Sequence, residues 1–279
     1  MRHTVLTTFA AAAVALLAAS APRAQENANA RRGFDTLLDM DVRDGLVYYR
    51  ALKSDRGRLD SFVASLASAS IDSASRDEQI AFWINAYNAI VLRTVVDHYP
   101  IAGRAGQYPP NSIRQIPGAF ERTTHRVAGK SLTLDQIEQT ALAGFNDPRV
   151  FLALGRGAMG SGRLRSEAYS GANLQQQLTE AADECVTRAS CAQFDRAAGK
   201  LRVSSVFSWR QREFAAAYAD KAASAFASRS PIERAIVAII SPKLVSVEKE
   251  ALEKNQFVVE FLPFDWSLND LTGRSGGGR

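Results

Sequence analysis

The sequence predicts an α+β protein, a single mainly helical domain with a small, mostly antiparallel sheet. Three observations carry that expectation. Apolar residues recur at i, i+3, i+4 and i+7 in several segments, as in Leu59, Phe62, Val63 and Leu66. The few strand-like runs do not alternate regularly with helices, as a doubly wound sheet requires. No internal repeat and no linker rich in Pro or Ser divides the chain between residues 31 and 270.

The chain opens with a short positive start, Arg2 and His3, followed by an apolar segment from Val5 to Ala19. That length suits the hydrophobic core of a secretory signal and falls short of the ~20 apolar residues of a membrane span. Residues 1–24 are therefore expected to be a signal peptide of bacterial type, cut somewhere between 21 and 30, with the periplasm or the exterior as destination. No later apolar run is long enough to cross a bilayer. Removing the leader leaves about 250 residues, enough for one sizeable core. The formal charge is +5, and two of the basic residues, Arg2 and Arg23, lie in the leader. No Lys/Arg run rises above a solvated surface, so nucleic acid is not an expected partner.

The elements follow from local chemistry. Ser75 and Glu78 form a capping-box pair at the head of a helix running to about His98 and stopping before Pro100. Ile101–Gly118, rich in Gly and Pro, reads as a surface loop. His125–Val127 and Ser131-Leu132 flank a hairpin turn. Thr133, with Gln136 as its reciprocal partner, heads a further helix containing Glu138. Val150–Leu154 reads as a short buried strand before a glycine loop. Helices are expected from about Asn173, within Ser208–Ala223 and from Pro231, with strands near Leu201–Val203 and at Phe257–Phe261. Gly273–Arg279 reads as a flexible tail.

The segment Ala81–Leu92, AFWINAYNAIVL, is the most informative one. Asn85 and Asn88 sit three residues apart on one helix face, amid apolar neighbours. A buried amide must find a partner or cost roughly 1–3 kcal/mol. Glu138 belongs with them as a polar group expected to be buried. Trp83, Trp209 and Trp266 read as core anchors.

Other motifs weigh less. Gly155-Arg156-Gly157-Ala158-Met159-Gly160 matches G-x-G-x-x-G. Yet Ser161-Gly162 extends the loop, and no second strand arrives until about Leu201, so the compact βαβ unit of a dinucleotide site is missing. No cofactor is expected. The loop reads as one shaped by close backbone approach, with Arg156, Arg163 and Arg165 clustered on it. Ser161 lacks the glycines of a nucleophile elbow, because Met159 and Arg163 stand in their place. The bases available to it, His98 and His125, sit at a helix end and in a hairpin. Cys185 and Cys191 can bridge only if the helix carrying Cys185 ends between them, and the sequence leaves that open. Three histidines and two cysteines are too few for a metal site.

These motifs, in order, carry a resemblance. AFWINAYNAIVL, Leu132–Glu138, Asp147-Pro148-Arg149, Glu167-Ala168-Tyr169, Phe207-Ser208-Trp209 through Phe214, and the closing Leu262–Asp270 together resemble the domain of unknown function 547 family, over roughly Phe34 to Asp270. The resemblance implies that many relatives carry two histidines and a Cys-Gly-Ala-x-Ser-Cys-Pro-Pro loop. The corresponding positions here are Gln139, Phe151, Arg156 and Ser161, with Gly162 and Arg163 replacing the prolines. Thiol chemistry of that kind is then closed to this chain, since a guanidinium cannot replace a thiolate.

The expected function is a periplasmic ligand- or partner-binding domain, related to a family whose cysteine and histidine set, as the resemblance implies, would suit an enzyme. The candidate ligand-binding residues are Asn85, Asn88, Arg156, Arg163 and Tyr169, lining one concave surface and favouring an anionic small ligand. The competing expectation is a hydrolase or transferase using Glu138, Asn85 and a glycine-loop residue such as Ser161.

Overall fold

Ser75 and Glu78 exchange the two hydrogen bonds of a capping box, and the 23-residue helix they head, α4 (Arg76–His98), is the axis of the molecule. Nearly every side chain from Ile80 to Val96 is buried, so α4 is surrounded on all sides, as a helix apolar around its whole circumference must be. It ends where Tyr99 turns extended ahead of Pro100. In the computed structural model, residues 29–272 are described; the expected signal peptide and the expected tail at 273–279 lie outside them.

Around α4 the chain lays down a helix over residues 29–41, α1, then a minimal hairpin, β1 (Val42–Arg43) and β2 (Leu46–Val47), then α2 (Tyr49–Ser54) and α3 (Gly57–Leu66). The stripe Leu59, Phe62, Val63 and Leu66 is buried, with α3 against α4. After the 101–118 loop comes the hairpin of β3 (His125–Val127) and β4 (Lys130–Leu132). Its two turn residues, Ala128 and Gly129, have φ of 48° and 74°, the left-handed pair of a tight type I′ turn.

Thr133 and Gln136 form the second capping box, heading α5 (Leu134–Gln136), which widens into a π-helical stretch over Ile137–Leu142. Such widened turns re-aim side chains and recur at functional sites; here the stretch carries Glu138.

The strand expected at Val150–Leu154 is not one. Asp147 accepts a hydrogen bond from the Arg149 N–H and Pro148 occupies the first helical position, so Pro148–Leu152 winds as a 3₁₀ helix. Its Val150, Phe151 and Leu152 are all buried. A short apolar run fits a buried turn of helix as well as a buried strand, and the Asp-Pro pair decided between them.

Helix α6 (Leu174–Thr187) buries Leu174, Leu178, Ala181 and Cys185. It ends at Thr187, and the reversal that follows bonds Cys185 to Cys191 with their Cα atoms 5.1 Å apart. The third sheet has β6 (Lys200–Ser204) at its centre, antiparallel to β5 (Ala192–Asp195) and parallel to β7 (Val258–Leu262). The expected helix within 208–223 is two: α7 (Ser205–Trp209) and α8 (Gln211–Tyr218), separated where Arg210 leaves helical geometry at φ −118°, ψ 30°. Helices α9 (Pro231–Ile240) and α10 (Ser246–Glu253) precede β7.

The class is α+β with helix dominant, its strands dispersed over three small sheets. One buried apolar cluster reaches from Phe34 to Leu268. Among the described residues no helix is long and apolar enough to cross a membrane.

Candidate functional site

The two asparagines of α4 hold neighbouring backbone. Asn85 donates to the Tyr169 carbonyl at 2.8 Å and accepts from the Tyr169 N–H at 2.9 Å. Asn88 donates to the Ala153 carbonyl at 3.3 Å and accepts from the Gly155 N–H at 2.8 Å. Each amide closes a two-bond bridge, as a neighbouring peptide would in a ladder. The glycine loop thus lies on α4, with Gly157 fitted against Val91 and Val95. Gly162 approaches so closely that a Cβ there would stand 1.7 Å from the Leu152 carbonyl oxygen. Helix face and loop meet, and the amides at that meeting are engaged by protein backbone.

A charged centre lies beside Tyr87, between the two asparagines on the same helix. Glu138 Oε1 accepts from Arg156 Nη2 and from Arg210 Nη2, each at 2.8 Å. Its Oε2 accepts from the Tyr87 hydroxyl at 3.3 Å. Arg156 is almost wholly buried and also donates to the Phe151 carbonyl at 3.3 Å. The Arg210 guanidinium lies 4.3 Å from the centre of the Phe151 ring. Burial pushes the Glu138 carboxyl up, but the Arg156 and Arg210 guanidiniums more than offset this and hold it below the usual glutamate range. Burial disfavours the charge of Arg156, and Glu138 beside it restores it.

Above this centre opens a cleft of about 440 Å³. Tyr87, Glu138, Arg156 and Arg210 form its floor, Phe120, Trp209 and Trp266 its aromatic side, and Arg114, Asp135 and Gln139 complete it. The indoles of Trp209 and Trp266 are near parallel, 22° apart, with centres 6.3 Å from one another. Trp209 is 46% exposed, contrary to the expectation of a core anchor, whereas Trp83 is buried. Trp209 is the last residue of α7, directly before the break at Arg210. Arg114 lies 4.5 Å from the ring centres of both Phe120 and Trp266. Asp135 is pushed up by burial and by the nearby Glu121 and Glu138 carboxylates.

The remaining expected site residues go elsewhere. Ser161 accepts from the Arg156 N–H at 2.9 Å and faces a separate recess of about 90 Å³ shared with Asp44, Arg163 and Arg188. Asn85 and Tyr169 border another groove, of about 320 Å³. Glu138, Ser161 and Asn85 therefore line three different hollows. Arg163 is paired with Glu184 at 2.7 Å and Asp44 at 3.3 Å, and Arg165 with Glu180 at 2.8 Å and with Glu167. Of the loop's arginines, Arg156 alone lines the cleft. The Tyr169 hydroxyl is buried without a hydrogen-bond partner. His98 contacts the Thr94 carbonyl at 2.9 Å, as a histidine at a helix end can. His125 is less exposed than a hairpin position suggests, and burial pushes its pKa down. Neither imidazole lines the cleft. Among the described residues no cluster of three or more His, Cys, Asp or Glu side chains is arranged to hold a metal ion.

Residues 71–186 match the model of a family described as a protein of unknown function, DUF547. No curated protein and no solved structure matches the chain. The DUF547 segment supplies Tyr87, Glu138 and Arg156, whereas Arg210, Trp209 and Trp266 come from beyond it. Of the four positions singled out by the resemblance, Gln139 and Arg156 line the cleft and Phe151 underlies Arg210, whereas Ser161 faces the separate recess and reaches the cleft only through the Arg156 N–H it accepts from.

The sequence missed Arg114, Asp135, Trp209, Arg210 and Trp266 as cleft residues. Only Trp209-Arg210 carried a usable signal, a charge directly after an aromatic residue inside a helical pattern.

Proposed function

We propose that the cleft over Glu138 is a small-molecule binding site and that the protein is an exported, periplasmic ligand-binding domain. The observation that carries this reading is the convergence of Glu138, Arg156, Arg210 and Tyr87 at the foot of an open, aromatic-sided hollow. A polar network serving stability alone needs no cavity above it, and concave sites with a few convergent polar groups are where ligands bind. An ionised Glu138, held by two guanidiniums, serves better as a fixed hydrogen-bond acceptor than as a general base. Binding is tested by thermal shift of the intact protein over a small-molecule library, repeated with Arg210→Ala. A ligand whose shift vanishes in the variant supports the site; shifts indifferent to it refute the site. Export rests on the Arg2–Ala24 leader. Mass spectrometry of the mature N-terminus is expected to find the chain beginning between residues 22 and 31, and an intact Met1 on cytoplasmic protein would overturn it.

A hydrolase reading keeps one observation in its favour. Glu138 and Asp135 line the same cleft, one carboxyl shifted down and the other up. Split carboxyl pairs of this kind perform acid and base roles in enzymes. Turnover of a bound ligand that is lost in Asp135→Asn while binding survives would establish it.

A further inference from the structure

From the balance of charge in the cleft and the indole pair beside it, we infer that the ligand is a neutral saccharide, one of whose pyranose rings lies against Trp209 and Trp266. This rests on the binding reading above and deepens it.

Charge decides against a simple anion. Each guanidinium in the cleft is already matched. Arg156 and Arg210 share Glu138, Arg210 also meets Glu213 at 3.4 Å, and Arg114 is bonded to Glu121. Asp135 adds a further carboxyl to the lining. The three arginines therefore leave no surplus of positive charge, and an incoming anion would have to displace carboxylates that are held in place. A cation meets the same guanidiniums and fares no better.

Hydrogen-bonding capacity is nevertheless unspent. A guanidinium offers five N–H donors, and an amide both donates and accepts. Arg114 Nε is buried with no partner, Gln139 is exposed at the cleft, and the Asp135 carboxyl is an acceptor beside them. Fixed donors and acceptors interleaved in this way suit hydroxyl groups, each of which can give one hydrogen bond and take others. A purely apolar ligand would strand those groups dry, at a cost for each.

The aromatic side completes the match. A pyranose is amphipathic by geometry: hydroxyls ring its edge, while its faces present C–H groups. Those slightly positive hydrogens are attracted to the electron-rich face of an indole. Trp209 is the large aromatic side chain in the cleft left substantially open to solvent, and Trp266 lies nearly parallel to it. A cleft of about 440 Å³ admits more than a single water-sized guest and is within the range of small-molecule sites.

The test uses the intact protein, with tryptophan fluorescence and calorimetry. The probes are neutral oligosaccharides of glucose and of N-acetylglucosamine, a wider array of immobilised neutral and acidic glycans, and citrate and inorganic phosphate as anions. The expected result is one-to-one binding of a neutral saccharide that shifts tryptophan emission. Its affinity should change by less than about twofold between about 20 mM and about 500 mM salt. Trp209→Ala, an exposed position whose loss leaves the thermal midpoint nearly unchanged, should weaken binding about tenfold, with Trp209→Phe retaining most of it. Binding restricted to anions and lost at high salt overturns the saccharide assignment while leaving the cleft as the binding site. So does saccharide binding that ignores Trp209. Silence from every glycan, together with a small-molecule shift that Arg210→Ala abolishes, again refutes the saccharide alone. Silence from every probe and every library compound refutes both.

Discussion

Glu138 is a buried carboxylate shared by two guanidiniums and a phenol, and it concentrates the electrostatics of the molecule in one side chain. Neutralising it leaves Arg156 buried without its counter-ion, so Glu138→Gln should cost about 3–5 kcal/mol in urea denaturation. The pH dependence follows from the direction of its shift. The folded value lies below the ordinary 4.5, so the stabilisation is complete above that value and is lost as pH falls through the folded one. Stability should drop on acidification below about pH 4.5 in the native protein, and the Gln variant should show a shallower acid limb. Asn85 has a different part. Its replacement by Ala strands the Tyr169 N–H and carbonyl, at about 3 kcal/mol, while ligand binding in the Glu138 cleft is retained. Sequence showed that Asn85, Asn88 and Glu138 must have partners. For the two asparagines it could not show which partners, because a distant backbone N–H leaves no residue-specific mark, and for Glu138 no spacing singled out Arg156 and Arg210 from the chain's other arginines. Trp209 was misplaced because an aromatic residue in a helical pattern normally points inward, whereas this one stands at the end of α7 and is exposed.

At the scale of elements, what is chemically local was legible. The capping boxes at Ser75 and Thr133, the Ala128-Gly129 turn and the stop before Pro100 each depend on a few adjacent residues. The 148–152 segment was not, because strand and 3₁₀ helix bury the same apolar residues and differ only in what pairs with their backbone. Nor was β5, whose four residues show no alternation of buried and exposed positions. The glycine loop exemplifies close approach. Gly162→Ala should cost at least about 3 kcal/mol, because the new Cβ would collide with the Leu152 carbonyl, a backbone atom that cannot swing aside. Gly144→Ala, at an exposed position with nothing within 4 Å of a Cβ, is the matched control and should fall within about 0.5 kcal/mol of the parent in the same melt.

For the molecule as a whole, the Cys185–Cys191 bond closes a loop with a sequence separation of 6 between α6 and β5. Closing so short a loop removes little freedom from the unfolded chain. Reduction, or the Cys185→Ser and Cys191→Ser pair, should therefore lower stability by only about 2 kcal/mol in denaturant titrations, with the cleft still able to bind. A larger consequence comes from the other end of the chain. Val47 exchanges backbone bonds with Asn269 and Leu271, and the Tyr49 hydroxyl reaches Asn269 at 2.8 Å across 220 residues of sequence. Trp266, one of the two indoles of the cleft, arrives with that same closing segment. On a ribosome Trp266 is made after every other residue that lines the cleft. A nascent chain can wind α4 and cap it long before, yet it holds half a cleft until residue 266 docks. On the binding reading proposed above, a fragment clipped ahead of Trp266 would keep Glu138 and its two arginines but lack one of the two indoles beside them.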